Sequence, residues 1–407
     1  MRKLLITLVI MSLAALMLTA QNKAYITRVL DYSPAPGQFI NKLPVYNVGE
    51  PRDSVLARAL WQITGRYLYE RYELLDGTVI VDSTFSVHPA YVSLGGFGGR
   101  IVFGFDHPVV NVADALDMQI FGNSFAATGS SSAGSCEPGI VMVSRDVNGN
   151  GEPDDPWYEL AGSDYYKPHT YHNYTITYYR PDESHVPTPQ GRYLTDTTYI
   201  RWVAMHDGLS NSGYIVRNSF NTQDYWPLWN DESTLSFTGT CLPRNSATGS
   251  GSEEYYVQSF FEWGYVDNRP DFDYDRELTD SIRDICNLGF DIDWAVDDDG
   301  QHVDLPYIDF VMVYTAMNQQ LGWIGETSTE VSGAIDLHPD EPMPVVHVTG
   351  DVNDDGSVNA SDMNILIDII LGRDTSGRYD ASADVNGDGA VDVIDINEII
   401  NIILSGQ

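Results

Sequence analysis

One twelve-residue pattern is written twice near the C-terminus, and it constrains the chain more than any other feature. DVNDDGSVNASD runs from Asp351 to Asp362, and DVNGDGAVDVID from Asp384 to Asp395, 33 residues later. Each copy leads into an apolar helical pattern, MNILIDIILG or INEIINIILSG. Oxygen side chains at alternate positions of a short loop converge on a hard cation, since calcium takes about six to eight oxygen ligands. Positions 1, 3 and 5 are Asp351, Asn353 and Asp355, then Asp384, Asn386 and Asp388. Gly356 and Gly389 follow, where the loop must turn sharply. Position 7 supplies a backbone carbonyl, so Ser357 and Ala390 can differ. Position 12 returns a carboxylate from the first turn of the helix, Asp362 or Asp395. Two calcium ions are expected, one per loop.

Pro342, Pro344 and Gly350 precede the first loop, so no entering helix is expected. Position 12 is Asp, where an EF-hand carries Glu. The unit is a loop with an exiting helix, in tandem. Over residues 350–407 this resembles the type I dockerin family. The resemblance implies calcium at both loops and docking onto a cohesin domain of a scaffold protein. It also implies partner contacts at positions 10 and 11: Ala360 and Ser361, then Val393 and Ile394. The second pair departs from the small hydroxyl residues usual there. The segment carries twelve Asp and Glu against Arg373 and Arg378, a net charge of −10. Without a cation these carboxylates repel one another across a unit with little core.

The first 20 residues read as a signal peptide. Arg2 and Lys3 precede the apolar stretch Leu4 to Leu18, and Thr19-Ala20 suits cleavage before Gln21. The protein is expected to be secreted, held at a cell surface only through docking. The apolar run is too short for a membrane span, so no membrane insertion is expected. The formal charge is −36. Such acidity disfavours nucleic acid and acidic polymers, and leaves neutral glycans and bound cations as partners. Cys136, Cys241 and Cys286 allow at most one disulfide, with its pairing open.

Residues 21–337 read as an all-β body, followed by a proline-containing linker at 338–349. GRIVFGF, LDMQIFGN, GIVMVS, WYELAG, YTITYYR and IDFVMVYTA are short, β-branched or aromatic runs between Gly, Pro, Asn and Asp clusters. Helical spacing stands out only at Asp53 to Tyr72. A β-sandwich or jelly roll is the expected architecture. The stretch 181–290, rich in polar and aromatic loops, reads as a large insertion or a sub-domain. The succession IFGNSF, CEPGIVMVSRD, WYELAGS and, late in the chain, YIDFVMVYTAMNQ with GETSTEVSGAIDL is similar to a discoidin-like jelly roll. It is more closely similar to uncharacterised surface proteins of gut Bacteroidetes.

Within the body, Asp146, Asn148 and Asn150 repeat positions 1, 3 and 5 of the calcium loop. Position 12 is Trp157, so Asp154, Asp155 or Glu159 would have to close a third calcium site. A polar hairpin turn is the alternative. Tyr225, Trp226 and Trp229 flank Pro227 and form a candidate stacking platform for a neutral glycan, against core packing as the alternative. No HExxH, GxSxG or phosphate-cradling motif is present. His169 and His172 read as solvated. Asp291, Asp293 and Glu326 are the first carboxylates to test for acid–base chemistry. The main reading is a secreted, non-catalytic β body that binds a glycan or nutrient, tethered by a dockerin. The alternative is a glycoside hydrolase or other polysaccharide-acting enzyme carried by it.

Overall fold

The computed structural model describes residues 24–65, 91–248, 256–270, 289–344, 349–353, 358–374, 376–377 and 379–405. The signal segment, Asp355, Ser357, Cys286 and most of the predicted helix beyond Gly65 lie outside them. The chain divides into two compact units, one ending at Pro342 and one starting at Met343. The first is mainly β and the second is helical.

Ten strands build the two sheets that supply the main cores: β1 (Arg28–Ser33), β2 (Arg100–Gly104), β3 (Gly139–Ser144), β4 (Trp157–Leu160), β5 (Tyr171–Tyr179), β6 (Leu194–His206), β7 (Leu209–Asn218), β8 (Thr234–Cys241), β9 (Ala295–Val296) and β10 (Phe310–Thr315). Six of them form an antiparallel sheet in the order β1-β2-β10-β3-β4-β9. The other four form an antiparallel sheet in the order β7-β6-β5-β8. The strand GIVMVS carries apolar side chains on both faces, Ile140 to Val143, because the six-stranded sheet is covered on both sides. Ile101, Phe103, Val141, Val143, Val311 and Val313 pack into one core. Helix α1 (Arg52–Gly65) closes that core with Val55, Ala59 and Ile63, four residues apart and so on one face. Ile140, Met142 and Tyr314 enter a second core with Ile176, Tyr178, Ile200, Ala204 and Phe237 of the four-stranded sheet. Each fully buried Val, Ile or Phe of these cores contributes about 1.5–3 kcal/mol. The Tyr314 hydroxyl joins the two sheets by accepting the Thr240 N–H at 2.9 Å.

Residues 194–241, inside the stretch read as an insertion, supply three of the four strands of the second sheet. Their outward face is polar, with hydroxyl pairs Thr175–Thr238 and Thr177–Ser236 at 2.8 Å. That polarity disguised them. The signal for the hairpin is Asp207-Gly208, whose φ angles of 47° and 74° suit a two-residue turn between strands.

The second unit has α2 (Ala360–Ile370), a short α3 (Asp380–Ala383) and α4 (Val393–Ser405). Its core is Val352, Leu366, Ala383 and Ile399, flanked by Ile365, Ile369 and Ile396. Among the described residues of the chain, no helix is long and apolar enough to cross a membrane.

Candidate functional site

In the second loop of the C-terminal unit, Asp384 Oδ1 accepts the Asp388 N–H at 3.1 Å and Oδ2 accepts the Gly389 N–H at 2.7 Å. Asn386 Oδ1 accepts the Asp388 N–H at 2.8 Å, and Asp388 Oδ1 accepts the Ala390 N–H at 2.9 Å. The glycine at position 6, Gly389, has φ 87°, a conformation that side-chain-bearing residues rarely adopt. Asp395 reaches back from α4, its Oδ1 accepting the Asn386 N–H at 3.1 Å. The first loop closes likewise: Asp362 Oδ1 accepts the Val352 and Asn353 N–H groups at 2.9 and 3.2 Å. Asn359 caps α2 by accepting the Ser361 N–H, and Asp362 Oδ2 accepts the Asn359 N–H, forming a capping box.

The donor set fits calcium. Every candidate ligand is an oxygen, and Asp362 and Asp395 are 0 % exposed, with Asp351 at 3 %. Buried carboxylates need a compensating charge. The one Lys or Arg described in this unit, Arg373, is paired with Asp368 at 3.3 Å. A divalent cation supplies what the side chains do not.

Residues 349–404 match the family of the type I dockerin domain. The C-terminal unit is a type I dockerin domain. Calcium as its metal and a cohesin as its partner follow from that family. No curated protein matches the chain. On the dockerin, Ala360 and Ser361 are exposed, as are Val393 (61 %) and Ile394 (51 %). Ile370 and Leu371 at the end of α2, and Ile403 and Leu404 at the end of α4, are exposed apolar residues related by the same 33-residue repeat. The dockerin therefore presents two sequence-related patches, and the second is more apolar at its start.

The body loop folds like a dockerin loop through its seventh position. Asp146 Oδ1 and Oδ2 accept the Asn150 and Gly151 N–H groups at 3.0 and 2.8 Å. Asn148 Oδ1 accepts the Asn150 N–H, and Asn150 Oδ1 accepts the Glu152 N–H. Asp155 then takes the closing role: its Oδ2 accepts the Val147 N–H at 3.0 Å, as Asp362 accepts that of Val352. Glu159 is excluded from closing it, because its Oε2 accepts the Thr240 hydroxyl at 2.6 Å in the interior.

The proposed aromatic platform is corrected by the structure. Tyr225 and Trp226 are 0 % exposed and belong to the second core. Trp229 packs on Tyr32 and Tyr46, with ring centroids 5.6 and 5.3 Å away. The segment is pulled inward by Asn41, whose Nδ2 donates to the carbonyls of Asp224 and Trp226. Tyr225 and Trp226 therefore offer no free face to a sugar, and Trp229 is half-buried against two rings. Asp291 and Asp293 are likewise engaged: Asp291 accepts the Asp293 N–H at 2.9 Å, and Asp293 accepts from Asn111 at 2.7 Å.

Glu326 stands apart from them. It lines a cavity of about 620 Å³ over the four-stranded sheet, with Tyr171, Tyr174, Tyr178, Trp202 and His206 in the walls. Its Oε1 accepts the Gln38 N–H at 2.6 Å, while Oε2 is buried with no hydrogen-bond partner among the described residues. Burial pushes the carboxyl up to about 8. His206 is stacked on Tyr171 at 4.0 Å, and its Nδ1 also lacks a hydrogen-bond partner, with the Asp207 carboxylate 3.8 Å away. His169 lines the same cavity. His172 belongs to a smaller one of about 180 Å³, beside Glu159, Thr240 and Tyr314. There Nε2 donates to the Tyr165 carbonyl at 3.1 Å. Burial pushes Glu159 up to about 8.

A third cluster has no local signal in the sequence. Glu137, Asp267 and Glu330 bring carboxylate oxygens within 4.8 Å of one another, close enough to share a cation. Their oxygens are already met: Ser328 N–H donates to Glu137, Ser93 Oγ to Glu330, and Asn123 N–H to Asp267. Burial raises Glu330 well above the usual carboxylate range. Cys136 and Cys241 are buried and free, and burial pushes the Cys241 thiol up to about 12.

Proposed function

We propose that this is a secreted protein whose dockerin holds a ligand-binding β body on a cohesin-bearing scaffold, in a calcium-dependent manner. The observation that carries this reading is the paired loop, with buried Asp362 and Asp395 turned inward and residues 360–361 and 393–394 turned out to solvent. Each dockerin loop holds one ion, and the Asp146–Asp155 loop holds a third. Asp351, Asn353, Asp355, the Ser357 carbonyl and Asp362 ligate the first, and Asp384, Asn386, Asp388, the Ala390 carbonyl and Asp395 the second. The body binds a glycan or another nutrient.

Capture on an immobilised panel of cohesins, with calcium or with chelator, tests the docking. Binding to at least one cohesin in calcium alone is expected. Ser361→Asp abolishes it if the first patch is used, and Ile394→Asp if the second is, because each buries an unpaired charge at the contact. Equal small losses from both changes, or capture that survives chelation, would reject this account. The polysaccharide-acting alternative is favoured by one observation, the buried carboxyl of Glu326 in a cavity. Among the described residues that cavity offers no second carboxylate to complete a glycosidase pair.

A further inference from the structure

We propose that the cavity over the four-stranded sheet binds a ring of a neutral sugar, with Glu326 and His206 as polar anchors and Trp202 and Tyr171 as stacking walls. This rests on the reading that the body is a ligand-binding module, and it names the site and the ligand class.

Three observations carry it. The volume, about 620 Å³, lies within the roughly 300–1,000 Å³ typical of small-ligand sites. The walls carry flat rings, and Tyr171, stacked on His206, is 37 % exposed and open to an incoming ligand. The interior holds a side chain with an unmet bonding need: Glu326 is 4 % exposed, yet Oε2 has no partner among the described residues. A buried polar atom in that state carries an unmet desolvation cost, which a ligand hydroxyl recovers.

The chemistry of the lining selects among ligands. An anion would meet the acidic chain as a whole and, once it ionises, the Glu326 carboxylate. A cation would face Arg244, His169 and His206, which also line the cavity. A hydroxyl both donates and accepts, so it satisfies Glu326 Oε2 and His206 Nδ1 in whichever protonation state each is found. The axial C–H faces of a sugar ring are apolar and match aromatic walls. The position of Glu326 is also built into the backbone. A Cβ on Gly37 would come within 2.7 Å of Glu326 Oε1, so glycine there lets the carboxylate seat against the Gln38 N–H.

The test is calorimetric titration of the full chain, in calcium, with three sets of oligosaccharides: neutral, uronate-bearing and amine-bearing. Binding to at least one neutral set is expected, weakened about tenfold or more by Trp202→Ala and by Tyr171→Ala. Glu326→Gln keeps the shape and the acceptor for Gln38, and is expected to change affinity by a similar factor. If Trp202→Ala unfolds the body, Tyr171→Ala at a partly exposed ring and the isosteric Glu326→Gln still decide. Neutral binding untouched by all three changes overturns the assignment of this cavity while leaving the body a binding module. Binding only of uronates or only of amines overturns the ligand class. No binding at all overturns the proposal, and cohesin capture of the same sample shows separately whether the docking reading survives.

Discussion

At the scale of single residues, burial decides what each side chain does. Glu159 and Glu326 titrate near 8 in the folded chain, against about 4.3 for an unfolded glutamate. Between those values the folded state holds more protons than the unfolded one. Stability is therefore greatest below about pH 4.3 for these two groups and is lost as pH rises through about 8. Asp117, raised by burial to about 6, acts in the same direction. The melting temperature followed by tryptophan emission is expected to fall between about pH 6 and about pH 8.5, and Glu159→Gln should flatten that fall. A melting temperature that climbs over this range would contradict the burial argument. Trp226 gives a second check. As a core side chain it should cost about 3–5 kcal/mol on change to alanine, measured by urea unfolding. The surface Trp61, 63 % exposed, should cost about 0.5 kcal/mol or less. A loss below about 1 kcal/mol at Trp226 would return it to the surface.

At the scale of elements, the loops follow local rules and the sheets do not. Asp155→Asn should lower the melting temperature of the body in calcium and leave it unchanged in chelator. The lost stabilisation is about 2.7 kcal/mol when calcium is at 100 times its dissociation constant. An equal shift in both buffers would make Asp155 a turn residue only. The dockerin loops are legible in sequence because all their ligands fall within twelve residues, with Gly389 marking the turn. The six strands read from β-branched runs are present because those runs are buried on both faces or alternate cleanly. The second sheet is obscured by its threonine and serine face, although Asp207-Gly208 announces a hairpin. The segment Tyr225 to Trp229 misleads for a different reason. Aromatic density does not say which way a loop folds, and the tie that turns it inward, Asn41, is 185 residues away in sequence. The large cavity was legible only through one of its residues, Glu326, because its walls come from positions as distant as Phe97 and Thr327.

At the scale of the whole molecule, the two units carry separate optical signals. The chain has eight tryptophans, and none lies beyond Trp323. Tryptophan emission therefore reports the body, while three of the four described α-helices lie in the dockerin and dominate the helical circular dichroism. Chelation is expected to erase most of that helical signal while the buried tryptophans keep their emission. A single concerted loss of both signals would mean that the body depends on the same ions. Within the body, neighbouring residues of β8 line different chambers: Thr240 the small one, Cys241 the large one. Consecutive residues of a strand face opposite ways, so the partition there is a single peptide thick. Whatever enters the large chamber presses on the strand that carries the Thr240 N–H, held by the Tyr314 hydroxyl. That amide is a natural gauge of occupancy, and its nuclear magnetic resonance would register a guest it never touches.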